Sequence, residues 1–206
     1  MKTYSATVLF SIFFIVSCNC LFNLGEASVL YFLLGTIIAV LFVVAVDGLF
    51  AILVHDFPRL FIKDYATKTK YYNAEHFPFK THKWERGFYE SIRIRAWKDL
   101  LPAKMGMDKT QIEHKDDVAY LDMFLIESCR AETMHLLSSV FGFSVILLFP
   151  IKYLFMISLP VAIVNFVMQI LPVMVQRYTR PKLLVLRKRQ MLKRVMEQKT
   201  QDQMQA

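Results

Sequence analysis

Long apolar blocks alternate with charged ones along this chain. Thr3–Asn23 carries no charge, and Ala27–Val46 repeats the pattern before Asp47-Gly48 and the apolar Leu49–Val54. Further on, Leu136–Phe149 and Tyr153–Val175 form a second apolar pair separated by Pro150-Ile151-Lys152. A helix needs about 20 apolar residues to cross the hydrocarbon core, so three of these blocks read directly as spans. Leu136–Phe149 makes only about 21 Å of helix at 1.5 Å per residue, against a core about 30 Å thick. Its helix is therefore expected to begin near Ala131, which brings Glu132 and His135 to the membrane boundary. The pattern predicts an all-α integral membrane protein of about four transmembrane helices, with amphipathic cytoplasmic or interfacial helices.

Four segments follow: an N-terminal transmembrane hairpin (1–56), a cytoplasmic or interfacial helical segment (57–130), a second transmembrane hairpin (131–176) and a basic cytoplasmic tail (177–206). Within the second segment Leu60–Tyr72, Trp84–Leu101 and Asp116–Cys129 read as helices, punctuated by Pro58, Pro78 and Pro102. Trp84, Phe88, Ile92 and Arg95 recur at near-helical spacing, which suits a helix lying on the membrane surface. In the last span Asn165, Gln169, Pro172 and Gln176 share one face, expected to point into the bundle. Ile15-Val16-Ser17-Cys18 has the look of a lipoprotein cleavage box. A single lysine as basic region, and a second span close behind, favour a retained first helix.

Composition sharpens this reading. The 206 residues are 55% hydrophobic with a net charge of +8. In a soluble protein that charge would suggest nucleic acid. Here the basic residues flank apolar spans, so topology and anionic headgroups explain them, and no nucleic-acid partner is expected. The external loops offer only Glu26 and Lys152, whereas Arg177, Arg180, Arg187, Lys188, Arg189, Lys193 and Arg194 follow the last span. The positive-inside rule predicts a multi-pass protein of the cell membrane with both termini cytoplasmic. Cys18, Cys20 and Cys129 form neither a disulfide framework nor a zinc-ligand spacing.

Three polar patches could carry chemistry. In Glu127-Ser-Cys-Arg130-Ala-Glu132-Thr-Met-His135, Glu132 and His135 are i,i+3 neighbours on a helix. A carboxylate that orients a histidine fixes its tautomer and raises its basicity, which is what a general base needs. In His82-Lys83-Trp84-Glu85-Arg86, His82 and Glu85 repeat that spacing. In Gln176-Arg177-Tyr178-Thr179-Arg180-Pro181, two arginines at the interface could grip a phosphate or lipid headgroup. Each patch also has an ordinary reading: a polar helix start, a solvated loop histidine and a positive-inside anchor. Asp47 is either a bundle-facing ionisable residue or one at headgroup level. No Gly-rich phosphate loop, Gly-x-Ser-x-Gly, His-Glu-x-x-His or His-x-x-x-x-Asp occurs.

Taken together, the patches resemble the bacterial glycosyl-4,4′-diaponeurosporenoate acyltransferases of staphyloxanthin biosynthesis. His82 with Trp84, Phe88-Tyr89 and Trp97-Lys98 comes first, then Arg130-Ala131-Glu132-x-x-His135, then Pro172-x-x-x-Gln176-Arg177-Tyr178-x-Arg180-Pro181. The resemblance runs over roughly residues 76–190, with Thr179 and Ile170 standing where asparagine is expected. It implies a membrane acyltransferase that moves a fatty acyl chain onto a hydroxyl of a lipid-like acceptor, such as a glycosylated carotenoid of carotenoid biosynthesis.

Read onto this chain, His135, Glu132 and His82 are the expected catalytic residues. His135 would deprotonate the acceptor, and His82 or Arg130 would meet the developing oxyanion. Trp84, Arg130, Gln176, Arg177, Tyr178 and Arg180 are the expected substrate-binding residues. No metal or cofactor is expected, only acyl-CoA or another acyl donor as co-substrate, with membrane lipids as partners. The rival readings are a metal-dependent lipid-modifying enzyme built on the two His/Glu pairs, and a non-catalytic membrane scaffold or lipid-binding subunit.

Overall fold

The computed structural model describes residues 2–22, 29–55, 70–98 and 114–205. The described elements are helices: α1 (Lys2–Phe22), α2 (Val29–His55), α3 (Lys83–Ser91), α4 (Ile94–Trp97), α5 (Val118–Phe141) and α6 (Leu159–Gln205). Between α5 and α6 come 3-10 turns at Gly142–Leu148 and Ile151–Tyr153 and a π-helical turn at Leu154–Ser158. No strand occurs among the described residues.

Among the described residues three stretches are long and apolar enough to cross a membrane, namely Val29–Val54, Val118–Leu148 and a part of Ile151–Met204, while Leu9–Leu21 is a shorter apolar helix. The most apolar window of Val29–Val54 has a mean hydropathy of 2.9, yet only 17% of it is buried inside the protein. A water-soluble fold would have to hide that surface; a bilayer solvates it. The chain is an all-α membrane protein.

The expected third span is one end of a longer helix. No glycine or proline interrupts Val118–Phe141, so α5 starts well before Ala131 and absorbs the helix expected at Asp116–Cys129. It ends where Gly142 brings the backbone against Asn165: a methyl at Gly142 would run into the Asn165 side-chain amide. Similarly α6 passes through Val175 and on to Gln205. Pro160 follows the π-helical turn without a break and cannot donate to the Met156 carbonyl four residues back, and the Asn19 side-chain amide donates to that carbonyl instead. Pro181 removes the donor that would bind the Arg177 carbonyl, and the Thr81 hydroxyl donates to that carbonyl instead at 3.2 Å. The segment divisions expected at 130/131 and 176/177 thus fall inside α5 and α6.

Two compact units result, Met1–Phe61 with Thr133–Val173 and Ile62–Glu132 with Met174–Ala206. The first is cored by Ile15, Phe32, Ala39, Val43, Val145, Ile157, Val161 and Ala162. Gly35 keeps α2 close to the π-helical turn, since a Cβ there would lie 2.9 Å from Ile157 Cδ1. The second unit has two smaller cores, one around Phe79, Leu125, Cys129 and Leu183 and one around Tyr89, Ile94, Val175 and Tyr178.

The expected helix at Trp84–Leu101 breaks at Ile92-Arg93, where Arg93 takes a left-handed φ of 52°, and Leu101 lies outside the described residues. Most of the expected Leu60–Tyr72 helix also lies outside them. The buried face of α3 is Glu85 and Tyr89, one position along from the Trp84/Phe88 stripe, which is exposed.

Candidate active site

Glu132 is 1% exposed and Arg180 is 0% exposed. Buried charges at that depth must be paired and hydrogen-bonded, and within the second unit they are. Arg177 donates through Nε to Glu85 Oε2 at 2.7 Å and through Nη2 to Glu85 Oε1 at 2.8 Å. Its Nη1 donates to Glu132 Oε1 at 2.5 Å and to the Pro78 carbonyl at 3.2 Å, and Nη2 also reaches the Lys80 carbonyl at 3.3 Å. A guanidinium has five N–H donors, and these bonds use all of them.

Arg180 completes the cluster. Its Nη2 pairs with Glu132 Oε2 at 2.6 Å and donates to Ser128 Oγ at 3.2 Å, and its Nη1 donates to the Phe79 carbonyl at 2.7 Å. Two carboxylates therefore balance two guanidiniums. Burial pushes the Glu85 carboxyl up, but the bonds from Arg177, from the His82 backbone N–H and from the Tyr89 hydroxyl outweigh it and hold the group down at about 2. The Tyr89 hydroxyl donates to Glu85 Oε2 at 3.0 Å, and Arg95 Nε donates to the Tyr178 hydroxyl at 2.6 Å.

The first unit holds a different constellation. Gln169, on α6, is buried. Its Nε2 donates to Asp47 Oδ2 of α2 at 2.6 Å, and its Oε1 lies 2.6 Å from His135 Nδ1 of α5. A carboxylate only accepts hydrogen bonds, so the amide nitrogen faces Asp47 and the amide oxygen faces the imidazole. With the amide oxygen on this side, a neutral imidazole meets it by donating from Nδ1. Asn165, one turn before Gln169, donates to the Ser138 carbonyl at 3.2 Å.

The residues singled out in the sequence fall into these two settings. His135 finds an amide at Nδ1, while Glu132 gives its two oxygens to Arg177 and Arg180. Arg177 and Arg180 face carboxylates and carbonyls instead of an open anion site. Arg130 is buried and paired with Glu127. Gln176 is half-buried, with Oε1 enclosed and unbonded in the protein. Tyr178 stacks edge-on to Tyr89 with ring centroids 6.2 Å apart. His82 is the exposed cap of α3, and Trp84 is 71% exposed.

Sequence reasoning left two residues in the background. Glu85 registered only as a partner for His82, because a helix-start carboxylate looks like a cap until the distant arginine is seen. Gln169 registered only as part of a polar face, and its link to Asp47 joins residues far apart in the chain. The signal available was the i,i+4 repeat of Asn165 and Gln169 inside an apolar span.

Glu85 and Glu132 are committed to arginines. No three His, Cys, Asp or Glu side chains gather as a metal site among the described residues. The arrangement offers one imidazole whose Nδ1 faces an amide oxygen, a group type suited to proton transfer, and one network of paired arginines and carboxylates. No curated protein and no solved structure matches the chain. The family model of the glycosyl-4,4′-diaponeurosporenoate acyltransferases matches residues 68–189, which takes in α3, α4, α5 and most of α6. That match covers more than half of the chain, so the protein belongs to the glycosyl-4,4′-diaponeurosporenoate acyltransferase family.

Proposed function

We propose that the protein transfers a fatty acyl chain onto a hydroxyl group of a lipid-like acceptor at the cytoplasmic face of the membrane, with His135 as general base. The observation that carries this is the Gln169 carboxamide oxygen on His135 Nδ1. With Nδ1 donating to that oxygen, Nε2 is the basic nitrogen of the ring. General-base assistance of this kind contributes about 10²–10⁴-fold to a rate.

The acceptor hydroxyl gives its proton to Nε2 while its oxygen bonds to the acyl carbon of a thioester donor. The carbon–sulfur bond then breaks, and the imidazolium returns the proton to the departing thiolate. The products are an ester and a free thiol, and the enzyme is unchanged. The donor is a co-substrate, acyl-CoA or another activated acyl carrier. The family's acceptor is a glycosylated carotenoid, and a long apolar molecule with a sugar hydroxyl at one end fits a chain whose α2 turns so much apolar surface outward.

Arg177 and Arg180 serve in this reading as framework, since all five Arg177 donors are engaged within the protein. The exposed Trp84 and Phe88 on α3, beside Lys83 and Arg86, suit a helix resting in the headgroup layer. Basic residues along α6 after Gln176 favour the cytoplasmic side.

Lipid mass spectrometry of cells with and without the gene tests the reaction. Loss of an acylated glycolipid, with its non-acylated precursor accumulating, is expected. An unchanged set of acylated lipids would rule the reading out.

A further inference from the structure

Asp47 lies outside the segment that matches the family, and it sits in the most apolar helix of the chain. An ionisable residue there is costly and normally faces a partner or a site. Its Oδ2 takes the Gln169 Nε2 hydrogen bond at 2.6 Å. Its Oδ1 is enclosed, with the Ser138 hydroxyl beside the carboxylate. One carboxylate, one carboxamide and one imidazole thus stand in line across α2, α6 and α5.

The order of the three matters. A carboxamide can turn either end to a neighbour, offering NH₂ or C=O at similar shape. By itself Gln169 would not choose which His135 nitrogen is protonated. A carboxylate cannot donate, so Asp47 fixes the NH₂ end on its own side. The C=O end is then forced onto His135 Nδ1, and the proton must lie between them. Were the amide reversed, its NH₂ would require a lone pair on Nδ1, the proton would move to Nε2, and the base would be lost. As the imidazolium forms, the Asp47 charge also stabilises it through the polarised amide.

We propose that Asp47 and Gln169 are positioning residues for His135, acting as a relay in which the carboxylate sets the amide and the amide sets the imidazole tautomer. This rests on the general-base reading of His135 and names the groups that hold it in its working form.

The test uses the full chain in lipid nanodiscs with ¹⁵N-labelled histidine, the His135 signals being assigned by their loss in His135→Gln. Wild-type His135 should show the proton on Nδ1. In Asp47→Asn, and separately in Gln169→Leu, the Nε2–H form should grow. With a long-chain acyl-CoA and glycosyl-4,4′-diaponeurosporenoate as probes, both variants should lose about 10²–10³-fold in kcat with KM changed by less than about twofold. Asp47→Glu should restore part of the rate and the Nδ1–H form. A wild-type proton on Nε2 would overturn the proposal without any variant. So would a well-folded Asp47→Asn whose rate or whose tautomer equals wild type. Full activity in His135→Ala would instead remove the general-base reading, and the tautomer measurement would still decide whether the relay exists.

Discussion

Arg177 and Glu85 meet through two parallel N–H···O bonds, at 2.7 and 2.8 Å, that join the middle of α6 to the first turn of α3. The same guanidinium reaches Glu132 on α5. One side chain therefore ties three helices of the second unit, and the fork geometry that permits it is specific to arginine.

Removing that side chain should be severe. Arg177→Ala would leave Glu85 and the fully enclosed Glu132 short of their partner, and breaking a buried pair in this way costs about 3–5 kcal/mol. A large fall in melting temperature in detergent is expected. Arg177→Lys should recover only a minor part of it, because an ammonium cannot make the paired contact.

Acid should weaken the same cluster over a defined range. The Glu85 carboxyl is held at about 2, below the ordinary value of 4.5 for a glutamate. A group depressed in the folded state stabilises it fully above the unfolded value and loses that contribution as pH falls through the folded one. Glu85's contribution to thermal stability should therefore be constant from neutral pH to about 4.5 and decline from there toward 2. Glu85→Gln should start less stable and show a shallower decline over that range in melting curves.

The contact between Gly142 and Asn165 gives a packing prediction for the first unit. Gly142→Ala would drive a methyl into the Asn165 amide, and overpacking typically costs about 1–3 kcal/mol. Adding Asn165→Ala should relieve part of that loss, so the double variant should melt above the sum of the two single effects.

Pro181 also makes a prediction. Thr81→Val keeps the shape of the side chain but leaves the Arg177 carbonyl without its donor. A loss of about 1–3 kcal/mol is expected for a carbonyl left unpaired in this way. It would be read as a lower denaturation midpoint.

Much of the architecture is legible from apolar runs, because spans must be long and uncharged whatever their tertiary setting. The buried face of α3 was not legible. Trp84 and Phe88 read as the face of a surface helix and are exposed, but nothing in the spacing showed that the face packed against the protein is Glu85 and Tyr89. Helix ends were also hidden: the boundary expected at 176/177 lies inside α6, which runs on through Pro181 with Thr81, distant in sequence, bonding the Arg177 carbonyl.

The candidate site was half legible. His135 stood out by its type and its place at the boundary. Its partner did not, because Glu132 is the neighbour by helix spacing whereas Gln169 is the neighbour in the fold. Local spacing cannot reveal that Glu132 is already claimed by two arginines arriving from α6. The family resemblance named the activity, and of the residues that carried it Glu132, Arg177 and Arg180 are paired with one another in the fold.

The most direct test of the account is the acylated-lipid product in cells carrying His135→Ala in place of the wild-type chain, at matched membrane abundance. The account predicts a fall of about 10²-fold or more in that product, the loss expected when a general base is removed. Product at the wild-type level would contradict it.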